Sequence, residues 1–243
     1  MGTNIRWDKI KIIIKGWRLS DYFRQFSIVA AGVIVTFWGS EWITERGRQE
    51  EVHATMQLVA EELDYNRQEL RNIKHLLDID RHMSSMLIDH KMDLSKIPVD
   101  TLYKYNKLFN NMTDFFYRTD ALDVLKGSSL MQYISDKRLL QNLLQTYFEL
   151  ERRKKDVTDY YTAKTDVLMT LAMSRNVKFA PKDDDDSLQE KNSSFMSQAS
   201  FLISNDKFVN FVVMVPAFLY WDEFDELDKM LDKQIKVLKS KYD

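Results

Sequence analysis

VHATMQLVAEELDYNRQELRNIKHLL, residues 52–77, sets Val52, Met56, Val59, Leu63, Asn66, Leu70, Ile73 and Leu77 alternately four and three residues apart. That period keeps one stripe turned toward a neighbouring helix, so the stretch predicts a long helix with a coiled-coil-like seam. One polar residue, Asn66, sits in the stripe, where it fixes register at some cost in stability. Two arrangements satisfy the seam: the inward face of an intramolecular antiparallel helical bundle, or a parallel homodimeric stalk. The later amphipathic segments of the chain supply packing partners, which favours the bundle.

Toward the N-terminus the same helix is expected to run back without interruption, because no proline falls in residues 41–90 and Gly47 is the only weak point. Phe26–Trp38 reads FSIVAAGVIVTFW and carries no charge. Alone it covers only about 20 Å as a helix, less than the hydrocarbon core of about 30 Å. Extending it over 22–43 gives roughly 33 Å and predicts a membrane-spanning helix. Arg24 then snorkels toward one interface, Phe26 opens the uncharged run, and Tyr22 and Phe23 face Trp38 and Trp42 across the span as aromatic belts. Gly32, Thr36 and Gly39 form a small-residue face that admits a neighbouring helix closely. No small-x-small cleavage site follows the run, so the anchor is expected to be retained.

Charge sets the expected orientation. Residues 1–25 hold six Lys/Arg (Arg6, Lys9, Lys11, Lys15, Arg18, Arg24) against Asp8 and Asp21, a net +4. The whole chain is −2, so the remainder carries −6. The positive-inside rule places the basic tail, 1–21, in the cytoplasm and 44–243 outside it, in a bacterial inner membrane. The acidic remainder excludes a nucleic-acid-binding body.

Toward the C-terminus the periodicities stay helical, which makes the fold class all-α. Helix one is expected to end near His90. A second helix over about 101–118 would bury Leu102, Tyr105, Leu108, Phe109, Met112 and Phe116. Asp120 starts a short helix stopped by Gly127, and Ser135 or Asp136 caps a long one to about Ser174, with Leu139, Leu140, Leu143, Leu144, Tyr147 and Leu150 on its stripe. Residues 176–194, with Pro181 and the run Asp183–Asp186, read as a mobile acidic loop. Ser204 or Asn205 caps a helix through the apolar run 208–221, which Pro216 marks as a kinked core helix and not a second span. Phe224, Leu227, Leu231, Ile235 and Leu238 give a final amphipathic helix.

The order of these segments resembles an uncharacterised family of bacterial single-pass membrane proteins. GSEWITERGRQEE (39–51), LVAEELDYNRQEL (58–70), ALDVLKGSSLMQYISDKRLLQNLLQTYFELE (121–151) and SNDKFVNFV (204–212) carry the resemblance. Family members share a Leu-x-x-x-Leu-x-x-Asn stretch after the anchor and an LKxS…I-x-D-x-x-L…L…Y stretch mid-chain. Here Gly-Ser-Ser at 127–129 stands where a Ser-Gly type turn belongs. The resemblance implies an envelope location and no particular activity.

Chemistry finds little purchase. The absence of cysteine removes disulfides, thiolate metal sites and a Cys nucleophile. Only Gly127 lies beyond residue 47 among the six glycines, so the body lacks a phosphate-cradling loop. His75, Asp78 and His82 share a helix face, but His ligands seven apart lie about 10.5 Å apart along the axis, too far for one metal. Asp183–Asp186 lacks the alternating ligands and Gly of an EF-hand. No catalytic, cofactor or metal residue is therefore assigned. The expected role is a non-catalytic interaction or scaffold module that binds membrane lipid and a protein partner or a second copy of itself. The alternative is an extracytoplasmic ligand-sensing domain that signals through the membrane helix to a partner.

Overall fold

The computed structural model describes residues 5–174, 188–218 and 221–242, and side chains over 23–174, 195–218 and 221–242. The side chains of the basic tail and of Tyr22, and the Asp183–Asp186 run, lie outside the described residues. Among the described residues the chain is all-α and has no strand: α1 (Ile5–Asp89), α2 (Val99–Lys104), α3 (Lys107–Asn110), α4 (Asp120–Gly127), α5 (Lys137–Ser174), α6 (Leu188–Ile203), α7 (Asp206–Phe218) and α8 (Trp221–Tyr242). Two 3-10 turns, Leu94–Lys96 and Leu130–Tyr133, join them. The chain divides into two units, residues 1–53 and 54–243.

In the first unit α1 is one continuous helix, and from Phe23 to Ile43 its large apolar side chains are uncovered. Phe26, Val29, Val35, Trp38 and Trp42 are all exposed. Beyond Ile43 the helix is polar and relies on i,i+4 pairs of its own, Gln49 to Glu45 at 2.9 Å and Arg46 to Glu50 at 3.4 Å.

The second unit is built on the seam. Met56, Val59, Leu63, Asn66 and Leu77 are fully buried, with Leu70 and Ile73 nearly so. Interhelical bonds give the directions. Gln57 reaches the Tyr242 carbonyl at 2.6 Å, Arg67 meets Asp228 and Asp232 at 2.9 and 2.6 Å, and Lys74 meets Asp225 at 2.8 Å. Rising numbers on α1 meet falling numbers on α8, so these two helices are antiparallel. Glu62 bonds Tyr147, whereas Asp80 bonds Tyr160 and Lys164 at 2.8 and 2.6 Å. α1 and α5 therefore run parallel, and residues 90–136 must return the length of the unit between them.

That return overturns the expected second helix. α2 stops at Lys104, α3 spans one turn, and 111–119 is neither helix nor strand, leaving Asn111 with extended dihedrals. The Lys107 carbonyl accepts Lys164 beside Asp80, and Arg118 pairs with Asn66. Between those levels α1 rises about 21 Å, while an eleven-residue helix covers only about 17 Å, so the chain must stretch. Extended chain alternates its side chains, which buries Phe115 and leaves Phe116 65% exposed. Leu102, Leu108 and Phe109 are buried as expected, but Met112 is exposed.

Local signals set most of the other boundaries. α1 ends where Lys91 and Met92 turn left-handed (φ 54° and 61°) and the Met92 N–H bonds the Leu87 carbonyl at 2.7 Å, a Schellman-type stop built without glycine. The Gly-Ser-Ser turn puts Ser129, not a glycine, in the left-handed region (φ 58°). Asp136 caps α5 by accepting the Leu139 N–H at 3.0 Å, and Asn205 caps α7 by accepting the Lys207 N–H at 3.0 Å. Residues 188–194, expected to belong to the acidic loop, are helical in α6, where Gln189, Glu190 and Lys191 are good helix formers free of proline; residues 176–187 lie outside the described residues. Leu144 of the α5 stripe is 38% exposed.

α6 and α7 are together apolar enough to resemble a broken span, but they meet at 88°. Their apolar residues are used in the core: Ala199, Leu202, Phe208, Val212 and Val215 are buried. Phe109 stacks on Phe208 with centroids 5.7 Å apart, and Tyr160 lies 5.8 Å from Phe211. Pro216 sits inside α7. Every residue of the expected α8 stripe is buried.

The α1–α8 charge ladder carries an acid dependence. Burial pushes the Asp228 carboxyl up, but hydrogen bonds from Arg67 and Arg71 outweigh this and hold it at about 2. A depressed carboxylate stabilises the fold above its unfolded value near 3.8, and that contribution is lost as pH falls through 2. Acid titration of the full chain should therefore lose about 2 kcal/mol of unfolding free energy between pH 4 and 2 through this group. Asp228→Asn should flatten that segment of the stability–pH curve; an unchanged slope would refute the ladder's role.

Candidate functional site

Three features compete for a functional role: the uncovered stretch of α1, the polar groups buried in the seam, and a cleft that those groups shape. In the first, Ser27, Thr36 and Thr44 return their hydroxyls to the carbonyls four residues back, Phe23, Gly32 and Ser40, at 2.7–2.8 Å. These three hydroxyls are thus satisfied within the helix itself. Arg24 and Trp38 are exposed, and the Arg46 guanidinium lies 5.7 Å from the Trp42 ring centre. A side chain added at Gly32 or Gly39 would meet nothing within 4 Å, so the Gly32–Thr36–Gly39 face is open. Among the described residues this is the one single helix long and apolar enough to cross a membrane.

Seam periodicity does not stop at Leu77. It continues through Asp80, Ser84 and Leu87, all fully buried. Asp80 accepts from Tyr160 and from Lys164, whose ammonium also donates to the Lys107 carbonyl at 2.8 Å. Burial raises the Asp80 carboxyl and lowers the Lys164 ammonium, while each opposes the shift in the other. Ser84 donates to the Val212 carbonyl at 2.6 Å, tying α1 to α7. On α5, Arg153 is 1% exposed, flanked by Asp156 at 2.9 Å and paired with Glu223 of α8. Sequence reading missed this set because it stopped the stripe at its last aliphatic residue. The available signal was a charged residue in apolar phase: Asp80 on α1, and Arg153 and Lys164 in step with Leu150, Val157, Leu168 and Leu171 on α5.

Two further buried groups face the extended return segment. Asn66 donates to the Arg118 carbonyl at 2.9 Å and accepts the Arg118 N–H at 2.7 Å. One turn earlier Glu62 accepts the Ala121 N–H at 2.8 Å at the start of α4, and the Tyr147 hydroxyl donates to its other oxygen. Burial and the nearby carboxylate push the Tyr147 phenol well above its ordinary range, so it remains a donor. Between α1 and α4 these bonds frame an open cleft of about 300 Å³, walled by Leu58, Tyr65, Ala121 and Val124. The Arg118 guanidinium lies 3.8 Å from the Tyr65 ring centre.

The histidine face resolves differently. His82 places Nδ1 3.2 Å from the Asp78 carbonyl and stacks on Tyr105. His75 and Asp78 line a second depression of about 210 Å³ with Lys74, Asp225 and Asp228. There the carboxylates face cations: Lys74 lies 2.8 Å from Asp225 and Arg71 2.7 Å from Asp228. Among the described residues no three His, Asp or Glu side chains are grouped to hold a metal ion. Of the aromatic residues, Phe115, Tyr160 and Tyr161 are core, and Tyr117 bonds Glu151.

No protein-family model, no curated protein and no solved structure matches this chain.

Two variants test the buried polar framework. Lys164→Met leaves the Asp80 charge buried and unpaired and should lower the unfolding free energy by about 3–5 kcal/mol. Adding Asp80→Leu should recover most of that loss, and additive losses in chemical denaturation would exclude the pairing. Asn66→Leu strands the Arg118 N–H and carbonyl and should cost about 2–4 kcal/mol. Sedimentation should be unchanged across a dilution series; a shift in mass would make the seam an intermolecular interface.

Proposed function

We propose that the chain is a membrane-anchored, non-catalytic interaction module of the bacterial envelope, with the basic tail in the cytoplasm and residues 44–243 outside it. The observation that carries this reading is the uncovered apolar stretch of α1, whose hydroxyls are bonded to their own helix. Uncovered aromatic and aliphatic side chains around a helix over this length have a hydrophobic driving force only if lipid or another apolar surface surrounds them. The resemblance of the anchor and mid-chain segments to bacterial single-pass proteins points the same way.

Membrane lipid and a protein are the proposed partners. The uncovered apolar surface of Leu58 and Val124 beside the acidic Glu61 and Asp120 supports a protein partner. The polar groups of the seam are bonded within the chain, which favours the intramolecular bundle over a paired stalk for residues 54–89.

Alkaline carbonate washing of membranes containing the full chain should leave it in the pellet, and protease added to intact spheroplasts should digest residues beyond the anchor. Release into the carbonate supernatant would overturn the anchored reading, and full protection in spheroplasts would reverse the topology.

A further inference from the structure

We infer that the cleft between α1 and α4 is a docking site for an amphipathic segment of another protein that presents apolar side chains flanked by Lys or Arg. This rests on the interaction-module reading and names the site and the chemistry of its partner.

The cleft is preorganised at the expense of buried polar groups. Asn66 holds the Arg118 backbone from both sides, Glu62 holds the Ala121 N–H, and Tyr147 holds Glu62. A buried carboxylate is costly unless it is well bonded, and here its bonds fix the wall of the cleft. A rigid wall lowers the ordering cost of binding.

The lining states what fits. Leu58 and Val124 both line the cleft at 52% and 53% exposure, offering apolar surface that no described residue covers. A volume near 300 Å³ has room for one or two aliphatic side chains of a partner. Glu61, Glu62 and Asp120 line the same cleft against one cation, Arg118. Glu61 and Asp120 are exposed and make no ion pair among the described residues. Arg118 is turned onto the Tyr65 ring. The lining is thus net negative around an apolar centre, and complementarity selects a basic, apolar partner over an acidic one.

The probe is a fluorescein-labelled synthetic amphipathic helix with Leu on one face and Lys on the other, titrated onto the full chain in phosphatidylcholine nanodiscs. Empty discs give the lipid background. Saturable binding above that background is expected, with at least tenfold weakening in Glu61→Lys and in the double variant Leu58→Ala/Val124→Ala. A control, Glu226→Lys on the exposed face of α8, should change affinity less than twofold. All these positions are exposed, and thermal melts verify that each variant folds. A Leu/Glu version of the peptide should bind at least tenfold more weakly than the Leu/Lys version. The docking site is overturned if the Leu/Lys peptide shows no binding above empty discs, if Glu226→Lys weakens it as much as Glu61→Lys, or if a photocrosslinker at position 58 or 124 joins two copies of the chain instead of the peptide. Carbonate extraction reports separately on the anchor, so loss of either result leaves the other standing.

Discussion

The second unit depends on one constraint: polar side chains that α1 carries into the seam must be bonded where no water reaches them. Asn66 and Asp80 occupy positions that Leu or Ile would fill in an uninterrupted apolar stripe, and Glu62 is buried beside it. Their bonds go to the Arg118 backbone, to Lys164 and Tyr160, and to the Ala121 N–H and Tyr147. An unbonded buried carboxylate or amide would cost about 1–3 kcal/mol or more, which is a large share of the stability of a domain this size. These three residues therefore dictate which segments lie against α1 and in which register. Hydrophobic area supplies the drive for packing but does not discriminate between neighbouring registers; the hydrogen bonds do.

The same constraint explains why the return segment is extended. A helix over 101–118 would bury an attractive stripe, yet it would fall short of Arg118's place beside Asn66. The extended backbone leaves N–H and carbonyl groups available to side chains, and Asn66 takes one of each from Arg118. Long-range pairing thus overrides local helix propensity in one place, and at that place the polar seam residues and the cleft coincide.

Much of the architecture was legible from residue patterns. The seam, the caps at Asp136 and Asn205, the start of α4 at Asp120 and the α8 stripe all rest on local signals, namely period and short-range hydrogen bonds. The return segment was not legible, because Leu102, Leu108, Phe109, Met112 and Phe116 fit a helix well and only distant partners decide otherwise. The parallel course of α1 and α5 was equally hidden, since it follows from Glu62–Tyr147 and Asp80–Lys164 pairings across more than eighty residues. The cleft depends on both. His75, Asp78 and His82 drew attention as a shared face, while Asp80, in phase with Leu77, carried the larger structural consequence.

That pairing bears on synthesis. Lys164 lies 84 residues after Asp80. At about 5–20 residues per second a ribosome needs roughly 4–17 s to deliver the ammonium that neutralises the carboxylate. During that interval the nascent first helix shows an unmatched acid within an oily stripe, and it cannot close on its permanent neighbours. α7 and α8, which bond Ser84 and Arg67, follow later still, so the seam closes in the order in which its partners leave the ribosome and not at the speed with which any one helix coils.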